Sequence, residues 1–327
     1  MRQVTLHQPG RFVGEVAPPP EPSPGFALVR PHRIGVFGTD LHAFAGRQPF
    51  FTYPRVLGHE LGVEVLAVPP GDHGLRPGDR CAVEPYLSCG DCHACRLGKT
   101  NCCESLQVLG VHTDGGMRGL LVVPVAKLFR SETLTFDQLA LVETLGIGYH
   151  AVERSQLRRG ETVLVVGAGP IGLAVVQFAV AGGGRVRVLD LNPQRRAFVS
   201  RWGVETLAEP DGKLADVVVD ATGSARAMEA SFGHVAFGGR LVLVGIVLDR
   251  ISFADPLFHR REMTLLASRN SARAFPEIIR QIETGQIDTT TWITHRLALA
   301  EVPERFAELP GAPGLVKAVI EVSDADA

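Results

Sequence analysis

The chain has 327 residues and a formal net charge of −2, with 45% hydrophobic and 21% charged residues. This length is typical of two domains, and this composition is that of a folded protein. The near-neutral charge argues against a nucleic-acid partner or an anionic membrane surface. Segment 1–10 lacks the apolar core of a signal peptide, so we expect a cytoplasmic protein.

An apolar stretch over 162–181 is nearly long enough to cross a bilayer. Its centre contains Gly167, Gly169, Pro170 and Gly172. These residues are typical of a tight turn that ends a strand and opens a helix. We therefore predict a strand, a turn and a helix here, and no membrane partner.

The region up to about residue 145 is predicted to consist of short strands between turns. Turns rich in proline and glycine at 69–71 and 76–79 follow or separate β-rich runs such as 26–30 and 62–68. A long helical pattern first occurs over 136–153. The region is therefore predicted to be an irregular all-β domain.

After residue 160, predicted strands alternate with predicted helices. Such alternation produces right-handed crossovers and a doubly wound parallel sheet. A last helix is expected to close this domain, and a last strand to return to the first domain. The predicted strands are 162–166, 185–190, 216–220, 240–245 and 315–322, and the predicted helices are 171–181, 194–202 and 275–285.

A glycine-rich motif, GAGPIG, follows the first strand of this second region. Gly167 permits the tight turn, Gly169 lets the backbone approach a pyrophosphate, and Gly172 allows close packing of helix and strand. The amino end of the helix offers N–H groups to phosphates. The acidic Asp190 lies 18 positions after Gly172, and the combination predicts a dinucleotide site.

Asp190 is the residue on which the predicted cofactor preference depends. Its carboxylate is expected to bind ribose hydroxyls and to repel a 2′-phosphate, which favours NAD over NADP. Arg195 and Arg196 keep NADP open as an alternative, although we interpret Arg195 as packing over the adenine. The predicted cofactor-binding residues are Gly167, Gly169, Pro170, Ile171, Gly172, Asp190 and Arg195.

Four of the six cysteines lie in one short segment and are separated by three, three and eight positions. Four thiolates at such spacing suit a closed tetrahedral zinc site, which leaves no position for a substrate and is therefore structural. Cys102 is an alternative fourth ligand, and Cys81 is interpreted as a buried core thiol. The predicted structural zinc ligands are Cys89, Cys92, Cys95 and Cys103.

Further motifs accompany these two sites along nearly the whole chain. They are 38–42 (GTDLH), 58–60 (GHE), 76–80 (RPGDR), Glu143 and 316–317 (VK). With them the chain resembles the zinc-containing medium-chain dehydrogenase/reductase (alcohol dehydrogenase) family. The resemblance is closest to its polyol, L-threonine and sugar-acid (L-galactonate-like) dehydrogenase branch.

The resemblance implies an α/β protein with two domains. A GroES-like, irregular β catalytic domain is expected over 1–145 and 286–327, with a structural zinc lobe over 86–106. A Rossmann NAD-binding domain with a doubly wound parallel sheet is expected over 146–285. The resemblance also implies a cleft for nicotinamide and a small-molecule substrate, and a homodimer or homotetramer.

Members of that family bind a catalytic zinc through a cysteine before the Gly-Thr-Asp motif, the histidine of Gly-His-Glu, and a third cysteine or glutamate. His59 and Glu143 match two of these positions, and Glu60 matches a glutamate on or behind the metal. Phe37 stands at the cysteine position. The resemblance thus predicts an atypical catalytic metal at His59, Glu60 and Glu143, with an empty site as the alternative.

The resemblance also implies a reaction, the NAD-dependent oxidation of a secondary alcohol. The metal would lower the pKa of the alcohol, and Thr39 and His42 match the proton-relay positions. Asp40 matches a residue behind the ligand histidine. A zinc-free reductase and a catalytically silent NAD-binding protein stay open as alternatives. The expected pocket residues are Phe37, Phe44, Phe50, Tyr53, Leu109 and Arg269.

Overall fold

The computed structural model describes residues 1–48, 51–71 and 73–327, so the expected pocket residue Phe50 lies outside the described residues. The chain divides into two units. The first comprises Met1–Glu143, Phe275–Gly285 and Thr289–Ala327, and the second comprises Thr144–Ala274 and Gln286–Asp288. In the described part of the chain, none of the helices combines the length and apolarity needed to span a membrane.

The elements are numbered in chain order. The strands are β1 (Arg2–Gln8), β2 (Arg11–Val16), β3 (Phe26–Val36), β4 (Arg55–Val56), β5 (Glu60–Ala67), β6 (Arg80–Val83), β7 (Tyr86–Leu87), β8 (Gln107–Val108), β9 (Leu121–Pro124), β10 (Leu128–Ser131), β11 (Thr162–Val166), β12 (Arg185–Leu189), β13 (Glu205–Leu207), β14 (Ala215–Asp220), β15 (Val235–Leu243), β16 (Thr264–Ala267), β17 (Ile293–Ala298) and β18 (Lys317–Glu321). The α-helices are α1 (Gly38–Phe44), α2 (His93–Arg96), α3 (Phe136–Ser155), α4 (Pro170–Ala181), α5 (Pro193–Ser200), α6 (Ala225–Ser231), α7 (Asp255–Arg260), α8 (Phe275–Glu283) and α9 (Val302–Arg305). Single 3₁₀ turns occur at Thr100–Cys102, Val125–Lys127, Phe232–His234, Leu299–Glu301, Phe306–Glu308 and Asp324–Asp326.

The first unit is built on mostly antiparallel strands. Its seven-stranded sheet has the order β10-β6-β5-β3-β18-β17, and β9 also pairs with β3. Alternating residues in the first half of β3 and all of its last three residues are buried, so that side chains such as Val29 and Ile34 join the apolar core. In β18, Ile320 lies opposite Ile34, which confirms that the last strand returns to the first domain.

The second unit contains a six-stranded sheet in the order β13-β12-β11-β14-β15-β16. Every neighbouring pair is parallel. The chain moves outward from β11 to one edge and then continues from β14 to the other, which is the doubly wound arrangement. Buried aliphatic residues such as Leu164, Val218 and Leu241 form its core. The predicted α/β fold class is confirmed.

Helix α8 belongs to the first unit, whereas the sequence placed it at the close of the second domain. Its Phe275 ring packs against Phe129 of β10, with ring centroids 5.2 Å apart. Glu283 accepts a hydrogen bond of 2.6 Å from the Ser131 hydroxyl. Apolar periodicity predicts an amphipathic helix but does not say which surface its apolar face covers.

Candidate active site and cofactor sites

The four predicted zinc ligands converge in a short lobe of the first unit. Their Sγ atoms all lie within 4.8 Å of one another, with 3.5 Å between Cys103 and Cys89 and 4.0 Å between Cys89 and Cys95. A tetrahedral zinc with Zn–S bonds of about 2.3 Å places its sulfurs about 3.8 Å apart. The four side chains therefore fit a closed zinc site.

The neighbouring cysteines are separated clearly from this cluster. Cys102 is exposed and is not one of the converging ligands, so the geometry favours Cys103 as the fourth ligand. Cys81 is fully buried in the core, as predicted, and burial raises its pKa to about 12. Backbone N–H groups of Glu104 and Cys95 lower the pKa of Cys92 to about 6, whereas burial raises the pKa of Cys95 to about 12.

A second set of polar residues is enclosed in the same unit, and we call it the buried polar cluster. Burying charged groups is unfavourable unless they are paired or hydrogen-bonded, so their partners show what the cluster can do. Each member is at most 3% exposed. The cluster consists of Asp40 on α1, His59 before β5, Glu60 on β5, Glu143 on α3 and Lys317 on β18.

Glu60 and Lys317 form an ion pair that spans three neighbouring strands. Lys317 Nζ donates to Glu60 Oε1 over 2.5 Å, and the two residues are 1% and 0% exposed. Gly35 of β3 lies between them and pairs with Glu60 in the sheet. A Cβ at Gly35 would lie 2.0 Å from Glu60 Oε2. Only a glycine at this position leaves room for the carboxylate.

Phe37 lies beside this ion pair. Its ring centroid is 5.1 Å from Lys317 Nζ, which is within the range of a cation–π interaction. The same ring meets the His59 imidazole edge to face, with centroids 5.6 Å apart. Val36 of β3 pairs with Ala318 of β18. Phe37 directly follows Val36 and Lys317 directly precedes Ala318, which explains why the two side chains meet.

His59 and Glu143 have partners of different kinds. His59 Nδ1 lies 3.9 Å from Asp40 Oδ1, while Asp40 Oδ2 accepts a 2.8 Å hydrogen bond from the Phe37 N–H. The Tyr86 hydroxyl donates a short hydrogen bond to Glu143 Oε1. Burial raises the pKa of Glu143 to about 7 and also raises the pKa of Asp40.

The predicted catalytic metal ligands are not brought together as a set. Among residues 1–48, 51–71 and 73–327, the four cysteines alone place three or more ligand atoms within 4.8 Å of one another. Glu60 is held by Lys317, Glu143 bonds to Tyr86, and Phe37 has no donor atom. As they stand, these residues do not fit a three-ligand catalytic metal, and we assign no step to one.

Sequence reasoning includes Lys317 in a family motif without assigning it to this site, and it misses Tyr86. A lysine directly before the apolar run 318–320 of β18 indicates a buried charge that needs a partner. Tyr86 belongs to the core of the cysteine lobe, where it packs with residues such as Leu106. Nothing in the sequence links either residue to Glu60 or Glu143.

The predicted relay and pocket residues are distributed more widely. Thr39 is half-buried and His42 is exposed on α1, one turn apart. Phe44 stacks on Phe12 with centroids 5.6 Å apart, and Leu109 is buried in the core of the first unit. The Tyr53 hydroxyl donates to the Ala43 carbonyl. Arg269 belongs to the second unit.

The glycine motif of the second unit has the geometry that its sequence predicted. Gly167 has a φ of +93°, which favours glycine. A Cβ at Gly172 would lie 1.9 Å from the Gly167 carbonyl oxygen, whereas one at Gly169 would meet nothing within 4 Å. Helix α4 begins at Pro170 without a side-chain cap. Its amino end is therefore open to an anionic ligand.

Asp190 follows β12 and lies next to this turn. Its Oδ2 accepts from the Ala168 N–H over 2.6 Å and its Oδ1 from the Asn192 N–H over 2.7 Å. Each carboxylate oxygen retains a further acceptor site for a ligand. Arg195 Nη1 lies 3.9 Å from Asp190 Oδ2, and Arg196 donates to the Asp190 carbonyl over 2.7 Å.

Comparison with known proteins agrees with this description. Residues 23–133 match the model of the alcohol dehydrogenase GroES-like domain, and residues 170–284 match that of the zinc-binding dehydrogenase. The named relatives are alcohol and polyol dehydrogenases, and the chain is an oxidoreductase that acts on CH–OH groups. The chain belongs to the zinc-containing medium-chain dehydrogenase/reductase family of alcohol dehydrogenases.

Three similar proteins illustrate the range of the family. The L-galactonate-5-dehydrogenase of Escherichia coli K12 is 38% identical over 94% of either chain. A crystal structure of an alcohol dehydrogenase from E. coli CFT073, complexed with NADH, has a TM-score of 0.93 at 28% identity and covers 98% of this chain and 99% of that one. A zinc-binding dehydrogenase from Sinorhizobium meliloti 1021, bound to NADP, has a TM-score of 0.91 at 29% identity and covers 98% of both chains.

Replacement of one lobe cysteine tests the structural zinc site. Cys95→Ser is expected to lower the zinc content by one ion per chain and to lower the melting temperature, because the lobe loses its tetrahedral ligand set. The matched control is Cys102→Ser, which changes an exposed neighbour. Equal zinc loss in both variants, measured by plasma mass spectrometry, would contradict the assignment.

Removal of the buried ammonium tests the pairing of Glu60. Lys317→Met is expected to destabilise the protein by about 3–5 kcal/mol, since it leaves a buried carboxylate without its cation. The double variant Lys317→Met/Glu60→Gln should recover part of this loss. Urea unfolding gives both free energies, and equal stability of the single and double variants would argue against the pair.

Proposed function

We propose that this protein catalyses the NAD-dependent oxidation of a secondary alcohol in a sugar acid or polyol. Hydride would pass from the carbinol carbon to the nicotinamide ring, and a group of the protein would accept the hydroxyl proton. The observation that carries the proposal is the open amino end of α4 beside Asp190, which suits a dinucleotide. The cofactor performs the redox chemistry, and the protein positions and polarises the substrate.

The preference for NAD rests on Asp190. Its carboxylate is buried and fixed by two backbone N–H groups, so it cannot easily turn away from a ribose bound there. A 2′-phosphate at the same place would meet this negative charge. Arg196 is engaged by the carbonyls of Asp190 and Leu191, which leaves Arg195 as the cation nearest to the carboxylate and able to compete for a phosphate.

The substrate class is proposed from the relatives and from the chemistry of the family. L-Galactonate-5-dehydrogenase is 38% identical, and the D-altritol 5-dehydrogenase of Agrobacterium fabrum is 32% identical over 97% of this chain. Both names describe oxidation of a polyhydroxy compound at carbon 5. These relatives therefore favour an extended polyol or sugar acid over a short alcohol as the substrate.

Proton removal is assigned to α1. Residues three apart on a helix lie on one face, so Thr39 can pass the hydroxyl proton towards the exposed His42 and solvent. His59 and Glu143 are proposed to hydrogen-bond the alcohol oxygen.

A zinc-free reductase is the second candidate, because Phe37 and Lys317 occupy the surroundings of His59. The assembly of the protein into a homodimer or homotetramer stays a prediction.

A substrate panel tests this function directly. The purified protein is expected to reduce NAD⁺ with L-galactonate or D-altritol faster than with L-threonine or ethanol, as followed by NADH absorbance. Turnover only from NADH with a keto acid or ketose would favour the reductase. Tight NAD binding by calorimetry with no turnover in either direction would indicate a silent NAD-binding protein.

Substitution of Asp190 tests the cofactor preference. Asp190→Ala is expected to raise the KM for NAD⁺ by about 10–100-fold, because charge-assisted hydrogen bonds worth about 1.5–3 kcal/mol are lost. It should also relax the rejection of NADP⁺. Asp190→Asn is the matched variant, since it keeps the shape and an acceptor but removes the charge. An unchanged ratio of NAD⁺ to NADP⁺ efficiency in both variants would place Asp190 away from the ribose.

A further inference from the structure

We infer that this chain holds a single zinc, in the cysteine lobe, and that Phe37, which packs against Lys317 of the Lys317–Glu60 ion pair, closes the position where its family carries a catalytic metal. The Lys317 ammonium is then the cation of the buried polar cluster. The inference concerns the site of the proposed function, but it is tested by metal content. A failure of the proposed activity would therefore leave this inference unaffected, because metal content is measured independently of turnover.

The number of available ligands is the first argument. A catalytic zinc takes three protein ligands and one open position. His59 Nδ1, Asp40 Oδ1 and Glu143 Oε2 have no hydrogen-bond partner among the described residues, but no three ligand atoms of this cluster lie within 4.8 Å of one another in that part of the chain. Phe37 supplies no donor atom at the third position.

The position of Glu60 is the second argument. Its carboxylate extends over Gly35 and meets Lys317 on the far side of β3. Its Oε1 is bonded to Lys317 and its Oε2 lies over Gly35, so turning the carboxylate towards His59 would disturb its pairing with an ammonium that is 1% exposed. That rearrangement is strongly unfavourable, because a buried charge without a partner is costly.

Charge and volume around His59 are the third argument. The Phe37 ring contacts the imidazole on one side, with centroids 5.6 Å apart, and Lys317 Nζ on the other, 5.1 Å away. The aromatic face stabilises the ammonium, which is already paired with the Glu60 carboxylate. Phenylalanine at this position therefore removes a ligand and fills the space between His59 and Lys317 with its ring.

Zinc stoichiometry of the full-length protein tests the inference. The wild-type protein, dialysed against a chelator for loosely bound metal, is expected to contain one zinc per chain. Cys95→Ser should then contain none, which locates that ion in the lobe. Phe37→Cys should contain two, because it provides a thiolate beside His59 and Glu143. Phe37→Cys combined with Cys95→Ser should contain one.

Two results would overturn the inference. One is a wild-type protein with two zinc ions per chain, of which one is lost on His59→Asn. The other is a Phe37→Cys protein that folds, as judged by circular dichroism, but gains no metal. If Phe37→Cys does not fold, Phe37→Ser serves as the second variant. It removes the ring without adding a thiolate, and it should still contain one zinc.

Discussion

The buried ion pair between Glu60 and Lys317 organises the buried polar cluster of the first unit. It joins strands β5 and β18 across Gly35 of β3, and neither side chain is more than 1% exposed. A pair enclosed in this way fixes both groups, because separating them leaves a charge in an apolar environment. The pair fixes the orientation of Glu60, and the Phe37 ring packs against its ammonium.

The two units illustrate different degrees to which sequence determines a site. In the second unit the glycines act locally, through a positive φ at Gly167 and close packing at Gly172, so a short motif predicts the turn and the open helix end. The cysteine lobe is local as well, since its four ligands lie within 15 consecutive positions, from Cys89 to Cys103. Here residue type and spacing are sufficient.

The buried polar cluster depends instead on contacts between distant segments. Glu60 and Lys317 are 257 positions apart, and Tyr86 and Glu143 are 57 apart. The sequence identifies Glu60 and Glu143 as carboxylates that could bind metal, but it does not show that another residue already holds each of them. The placement of α8 has the same origin, because its amphipathic pattern suits either unit. Such partners are set by strand order and tertiary packing.

The central claim is that an ammonium, and no second metal, balances the carboxylates beside His59. Zinc K-edge X-ray absorption of the wild-type protein tests it most directly, since the first shell reports every bound zinc. The account predicts sulfur scatterers alone, at about 2.3 Å. A nitrogen or oxygen shell at about 2.0–2.1 Å that disappears on replacement of His59 would contradict it.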